Sequence, residues 1–352
     1  MLNIYIPTDI HCEINKRFLF ILVRPFYSNN GWIVDNEKLK KWGVDFDNVN
    51  LVSDHTKADV MILPYSINHY MTNGFSHYLE KYNNLCYNNN ITAYGFISGD
   101  YGLAFPEFDN ITYFRMGGFR SQLSERNIGF PAALSDHHLH IFGSDEISIR
   151  GKNKKPIIGF CGHSNASQMK RAKESLMYIL ENIKRFINNP LRKDYETIFP
   201  SGYYRSQILF NLERQNSINT NFIYRKKYRA GAISKYDRTQ STLEYYNNIR
   251  ESDYILCLRG RGNFSIRFYE TLLMGRIPVF ISTDCILPLK NQINWEKHVV
   301  WIEWKERHHI GDIVTQFHNS LSNNDFRLLQ INNRKLWLEK LQPNYILNHC
   351  LK

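Results

Sequence analysis

The segment from Asp253 to Ile281 reads DYILCLRGRGNFSIRFYETLLMGRIPVFI. Tyr254 to Leu258 is a short apolar run with the pattern of a buried strand. It gives way to Arg259-Gly260-Arg261-Gly262-Asn263, a loop rich in glycine and arginine. Ser265 or Asn263 can cap a helix that carries Ile266, Phe268, Leu272 and Leu273, and Gly275 suits the position just past its end. Ile277 to Ile281 is a second strand, with Pro278 near its start, where proline is tolerated. A strand, loop, helix and strand in this order predict an α/β fold with a parallel sheet. Such sheets bind ligands outside the carboxyl ends of their strands.

The loop has the chemistry of an anion site. Gly260 and Gly262 let backbone approach a ligand, and the first N–H groups of the helix point outward with the positive end of its dipole. Arg259 and Arg261 add two full charges. Arg267 lies in the first helical turn, where a cation opposes the dipole, so it calls for an anion or a buried carboxylate beside it. At about 1.5–3 kcal/mol per charge-assisted hydrogen bond, this set suits a diphosphate better than one carboxylate. Glu270, three residues on, shares a helix face with Arg267 and can reach ribose hydroxyls. A surface Arg–Glu pair on a solvated helix is the plainer alternative.

Around this segment the chain has 352 residues, enough for two domains, and an ordinary globular composition of 43% hydrophobic and 22% charged residues. The net charge of +11 points to an anionic partner: a nucleotide, an anionic glycan, a membrane surface or nucleic acid. The N-terminus lacks a basic region followed by an apolar core, and no run approaches ~18 apolar residues. Cys12, Cys86, Cys161, Cys257, Cys285 and Cys350 are scattered, without a CxxC pair. Free thiols in a reducing compartment, by default the cytoplasm, are expected.

Elsewhere, Thr56 to Tyr65 and Ile91 to Ser98 read as strands. The second leads into Gly99-Asp100-Tyr101-Gly102, where Asp100 is a cleft candidate or an ordinary Asx turn. Asp136-His137-His138-Leu139-His140 matches no zinc spacing and reads as loop histidines. Gly151 to Pro156 is polar and basic and reads as a linker between domains 1–150 and 151–325, with residues 326–352 as a closing helix packing back across them. After it, Pro156 to Cys161 is a strand, and a polar loop contains His163. A helix from about Gln168 sets Leu176, Ile179, Leu180 and Ile183 on one face. His163 and Arg171 therefore sit where they could join the same anion site. The cluster Arg225 to Arg229 is basic, but no RRM, KH or helix-turn-helix pattern accompanies it, so nucleic acid is not the expected partner. Asp284 follows the second strand of the opening segment.

RGRGNFSIRFYETLLMGRIPVFI, followed by Asp284, Leu287-Pro288-Leu289 and Asn294-Trp295, resembles the exostosin family, glycosyltransferase family 47. Ala58-Asp59-Val60 with Leu63-Pro64 resembles that family's N-terminal strand. The main resemblance covers residues 250–305; Leu289 and Asn294 depart from it, and the residues beside Asp100 lack the family's Arg and His. The resemblance implies a GT-B fold, two Rossmann-like doubly wound domains facing a cleft. It implies an inverting, metal-independent transfer from a nucleotide-sugar, usually a UDP-sugar with a GDP-sugar possible, to a glycan acceptor. It places the acceptor on the N-terminal domain and the donor on the C-terminal one. The missing anchor implies a soluble bacterial or viral type of member.

Inverting transfer needs a base for the acceptor hydroxyl and positive charge for the leaving diphosphate. Asp100 is the first base candidate and Asp136 the second. Arg259, Arg261 and Arg267 are expected on the diphosphate and Glu270 on the ribose. Gly260, Gly262, Asn263, Ser265, Asp284, His163 and Arg171 complete the expected donor site. Two other classes remain open. Gly260-Arg261-Gly262-Asn263-Phe264-Ser265 approximates GxGxxG with Asp284 about 20 residues on, as in an NAD(P)-dependent oxidoreductase. The positive charge also fits a non-catalytic binder of nucleic acid or anionic glycan.

Overall fold

The structure, a computed structural model, describes residues 1–10, 18–28, 31–192, 194–226 and 228–351, without the side chains of 228 and 229. Cys12 and Lys227 lie outside the described residues. The chain divides into two compact units. The first holds Met1–Ala133, Ile286–Leu289 and Glu339–Lys352; the second holds Leu134–Cys285 and Lys290–Leu338.

The first unit runs through β1 (Leu2–Tyr5), β2 (Tyr27–Ser28), β3 (Gly31–Trp32), α1 (Asn36–Lys41), β4 (Val49–Val52), β5 (Val60–Ser66), α2 (Ile67–Thr72), α3 (Ser76–Asn89), β6 (Thr92–Ile97), β7 (Ile111–Arg115) and β8 (Asn127–Gly129). Among the described residues its sheet has the order β4-β1-β5-β6-β7-β8, and its pairs are parallel. β5 is buried at every position, as its run VMILPYS predicts for a strand covered on both faces. Ile286–Leu289 adjoins this sheet through a bridge between Gly129 and Pro288. A Cβ at Gly129 would lie 2.6 Å from the Leu287 carbonyl, so only glycine allows that approach.

The second unit contains α4 (His137–Phe142), β9 (Ile157–His163), α5 (Gln168–Asn188), α6 (Ser201–Glu213), β10 (Asn219–Arg225), α7 (Lys235–Arg250), β11 (Tyr254–Cys257), α8 (Ile266–Leu273), β12 (Ile277–Ser282), β13 (Val300–Glu303), α9 (Ile310–Ser320) and α10 (Asn323–Lys340). α11 (Pro343–His349) belongs to the first unit. The sheet order is β10-β9-β11-β12-β13, with parallel pairs. The two units have the Rossmann-like α/β character of a GT-B fold.

The division differs from the expected boundaries at 150 and 325. The stretch expected as a linker falls inside the second unit, where Lys152 and the adjoining Arg150 are bonded while Gly151, Asn153, Lys154 and Lys155 are exposed. Arg150 Nε lies 2.6 Å from Asp253 Oδ1, its backbone N–H donates to Gln330 Oε1, and Lys152 Nζ donates to the Leu321 carbonyl.

β11, α8 and β12 fall where the opening segment predicts them. Phe268, Tyr269, Leu272 and Leu273 turn α8 onto the sheet, each buried side chain of this size contributing about 1.5–3 kcal/mol. Gly275 follows the helix with φ of +62°. Ser265 holds the N-cap position, but its side chain makes no capping bond.

Candidate functional site

The order of the second sheet creates a switch point. The chain leaves β9 for β10 on one side and later enters β11 on the other. Connections diverge there, and in open α/β sheets such a point is where ligands bind, outside the carboxyl ends of the two strands, here β9 and β11.

Arg267 spans these two strand ends. Its Nη2 donates to the Cys161 carbonyl of β9 at 2.8 Å, and its Nη1 lies 3.5 Å from the Leu256 carbonyl of β11. Its guanidinium carbon sits 4.3 Å from the centre of the Phe160 ring. Gly162 makes room: a Cβ there would stand 2.7 Å from Arg267 Nη2. Strand carbonyls, then, hold this cation against the helix dipole.

Arg205 of α6 ties together the loops that follow the same strands. Its Nη1 donates to the His163 carbonyl at 3.2 Å and its Nη2 to the Arg259 carbonyl at 2.9 Å. Its Nε is buried without a hydrogen-bond partner among the described residues. Burial, and then the positive charge of Arg267, pull its pKa down to about 10, while Glu174 acts the other way. It remains a cation at neutral pH. Two repelling guanidinium groups at the end of a parallel sheet are stabilised by an anion between or beside them. Gly260 borders the same space, with Arg205 Nη2 the nearest atom, 3.9 Å from where a Cβ would stand.

Residues 154–317 match the Exostosin GT47 domain. The match opens just before β9 and closes within α9, so the Exostosin GT47 region includes the switch point and both arginines. Exostosin-1 of Drosophila melanogaster is 34% identical over 80 residues, 23% of this chain and 10% of that protein. Probable beta-1,4-xylosyltransferase IRX10L of Arabidopsis thaliana is 31% identical over 77 residues, 22% of this chain and 19% of that protein. Probable glucuronosyltransferase 47 A of Physcomitrium patens is 35% identical over 68 residues, covering 19% and 15%. The chain thus spans less than a fifth of the length of each of these relatives.

Within the Exostosin GT47 region the expected donor residues separate into two groups. Arg259 is buried; its Nη2 donates to the Arg261 carbonyl at 3.0 Å and lies 3.7 Å from Glu196 Oε2, and its guanidinium lies over Phe199. The side chain is thus turned into the protein, facing Glu196 and the Arg261 carbonyl, where it shapes the loop. Asn263 is also internal. Its amide donates to the Thr283 and Asp284 carbonyls, and its Oδ1 accepts from Thr283 Oγ1, fastening the loop to the end of β12. Asp284 takes a left-handed backbone, φ +63°, at that junction. Gly262 is buried, and the Arg261 side chain is exposed.

Glu270 does not pair directly with Arg267. Its carboxylate accepts from the Tyr245 hydroxyl and, at 3.2 Å, from the Tyr246 hydroxyl. Burial, then the charge of Glu270, raise both phenols above their ordinary values, so both stay protonated donors. The carboxylate keeps unused acceptor capacity. His163 ends β9, and burial followed by the charge of Arg205 lowers its pKa, which favours the neutral imidazole. Arg171 is exposed, with its guanidinium 4.5 Å from the Tyr203 ring.

Asp136 is unsuited to be a base. It caps α4 through the Leu139 N–H and makes two bonds to Arg334, at 3.1 and 2.6 Å. Burial alone would raise its pKa, but the bonds from Arg334 and Leu139 and the charge of Arg334 hold it below the usual aspartate value. The neighbouring histidines lie on α4 rather than in a loop, and His138 is buried with Nδ1 2.8 Å from the Ser144 carbonyl. Among the described residues no group of His, Cys, Asp and Glu is placed to hold a metal. Asp100 lies in the first unit, exposed, in the loop past the carboxyl end of β6. Sequence reasoning missed Arg205, which has no glycine loop in front of it; its one sign is an arginine early in a helix opening with Ser201-Gly202.

Proposed function

We propose that this protein is an inverting glycosyltransferase that moves a sugar from a nucleotide-sugar, most simply a UDP-sugar, to a glycan acceptor. The observation that carries the proposal is the pair Arg205 and Arg267 at the switch point of the second sheet. The Exostosin GT47 match and relatives named as xylosyl- and glucuronosyltransferases support it. In this reading the diphosphate rests against Arg205, the N-terminal N–H groups of α8 and the exposed Arg261. Glu270 takes a ribose hydroxyl with the acceptor capacity its tyrosines leave free. Negative charge grows on the leaving diphosphate in the transition state, and fixed guanidinium groups stabilise it there without reorganising. Asp100 is the proposed base. The free cysteines among the described residues support a reducing compartment, which we take to be the cytoplasm.

The test is release of UDP from UDP-xylose and UDP-glucuronate in the presence of an oligosaccharide acceptor. Arg205→Ala should lower kcat/KM by roughly 10–100-fold, the loss of one charge-assisted contact. Asp100→Asn should retain UDP binding and lose turnover; full turnover in that variant would move the base elsewhere. A protein that releases no UDP yet binds NADH would belong to the oxidoreductase class instead.

A further inference from the structure

The geometry of α5 points to a membrane-binding face, and we propose that it docks on an anionic lipid bilayer. This inference is independent of the catalytic reading. α5 runs for 21 residues, and successive residues turn by about 100°. Met169, Leu176, Leu180, Ile183 and Ile187, spaced by seven, four, three and four, therefore form one stripe. That stripe faces away from the protein: Met169 is 82%, Leu180 56% and Ile187 72% exposed. The opposite side of the helix is the packed one, and it is fastened by polar bonds. Tyr178 donates to the Arg261 carbonyl, Arg185 binds the Asp194 carbonyl and Glu181, and Asn182 donates to the Glu196 carbonyl. An amphipathic helix of a globular protein normally buries its apolar face; this one buries its polar face and presents the other.

Charge selects the occupant. Lys170, Lys173 and Lys184 are exposed and lie along one flank of the stripe. The acidic side chains of the helix are engaged on the inner side, Glu174 with the Gly202 N–H and Glu181 with Arg185. A second copy of α5 would therefore offer apolar side chains and lysines but no carboxylate to meet those lysines. A bilayer with anionic headgroups meets both features, with the stripe among acyl chains and the lysines at the phosphates. The net charge of +11 acts in the same direction.

The experiment is flotation of the full chain with vesicles of phosphatidylcholine and phosphatidylglycerol in a roughly two-to-one ratio, against vesicles of phosphatidylcholine alone. The wild type should float with the mixed vesicles and much less with the neutral ones. Leu180→Glu with Ile183→Glu should lower binding at least about tenfold, and Lys184→Glu severalfold. All three sites are exposed, so circular dichroism should show an unchanged melt. Failure of the wild type to float, or equal flotation of the double variant, would overturn the proposal. So would a dimer in analytical ultracentrifugation that the double variant dissolves while vesicle binding is absent, which would make the occupant a second copy.

Discussion

Arg334 and Asp136 form a two-bonded ion pair whose side chains are only 6% and 18% exposed. Removing one partner leaves the other buried and uncompensated, at a cost of about 3 kcal/mol. Asp136→Asn keeps a capping side chain but loses the charge, and urea unfolding should show that loss. The folded aspartate has a depressed pKa, so its contribution is fully present above the unfolded value near ~3.9 and is lost as pH falls through the folded one. The difference between wild type and Asp136→Asn should therefore shrink below about pH 4. At this scale the sequence was informative for residue type and silent on partners. Arg259 in the loop and Arg267 in the first turn of α8 share one expectation, a diphosphate, yet one meets Glu196 and the other strand carbonyls. Those partners lie roughly 60 and 100 residues away in sequence, beyond any local pattern. Arg205 was illegible for the same reason.

The element that organises the second unit is β11–α8–β12, and its packing gives two expectations. Leu272 is fully buried on α8, so Leu272→Ala should destabilise by about 2–5 kcal/mol in denaturant unfolding. Asn263→Ala strands two carbonyls and a hydroxyl at the end of β12 and should cost about 1–3 kcal/mol. It should also weaken UDP binding, because the loop it fastens precedes α8. Elements of this kind were legible, since apolar runs and glycine punctuation are local signals. The α5 stripe was legible too, but which side of the helix met the sheet was not. Tyr178 takes the inward position with a bond to the Arg261 carbonyl, distant in sequence, and Arg185 with one to the Asp194 carbonyl beyond the helix end. Gly151–Pro156 has a loop's composition and is largely exposed, yet Lys152 and Asn153 bond to residues about 100–170 positions away, which composition does not reveal.

For the whole molecule, two parallel sheets in separate units give it the character of a GT-B fold, and the second carries the Exostosin GT47 match. Binding of a nucleotide-sugar raises apparent stability by a few kcal/mol when the ligand is well above its dissociation constant. A thermal-shift panel should therefore single out the uridine donors, with adenine dinucleotides inert. The central claim concerns where the diphosphate charge is received, and calorimetric titration with UDP and with uridine isolates it. The wild type should bind UDP at least roughly 100-fold more tightly than uridine, and Arg205→Ala should narrow that ratio about tenfold or more while leaving uridine affinity unchanged. An unchanged ratio in Arg205→Ala would contradict the account.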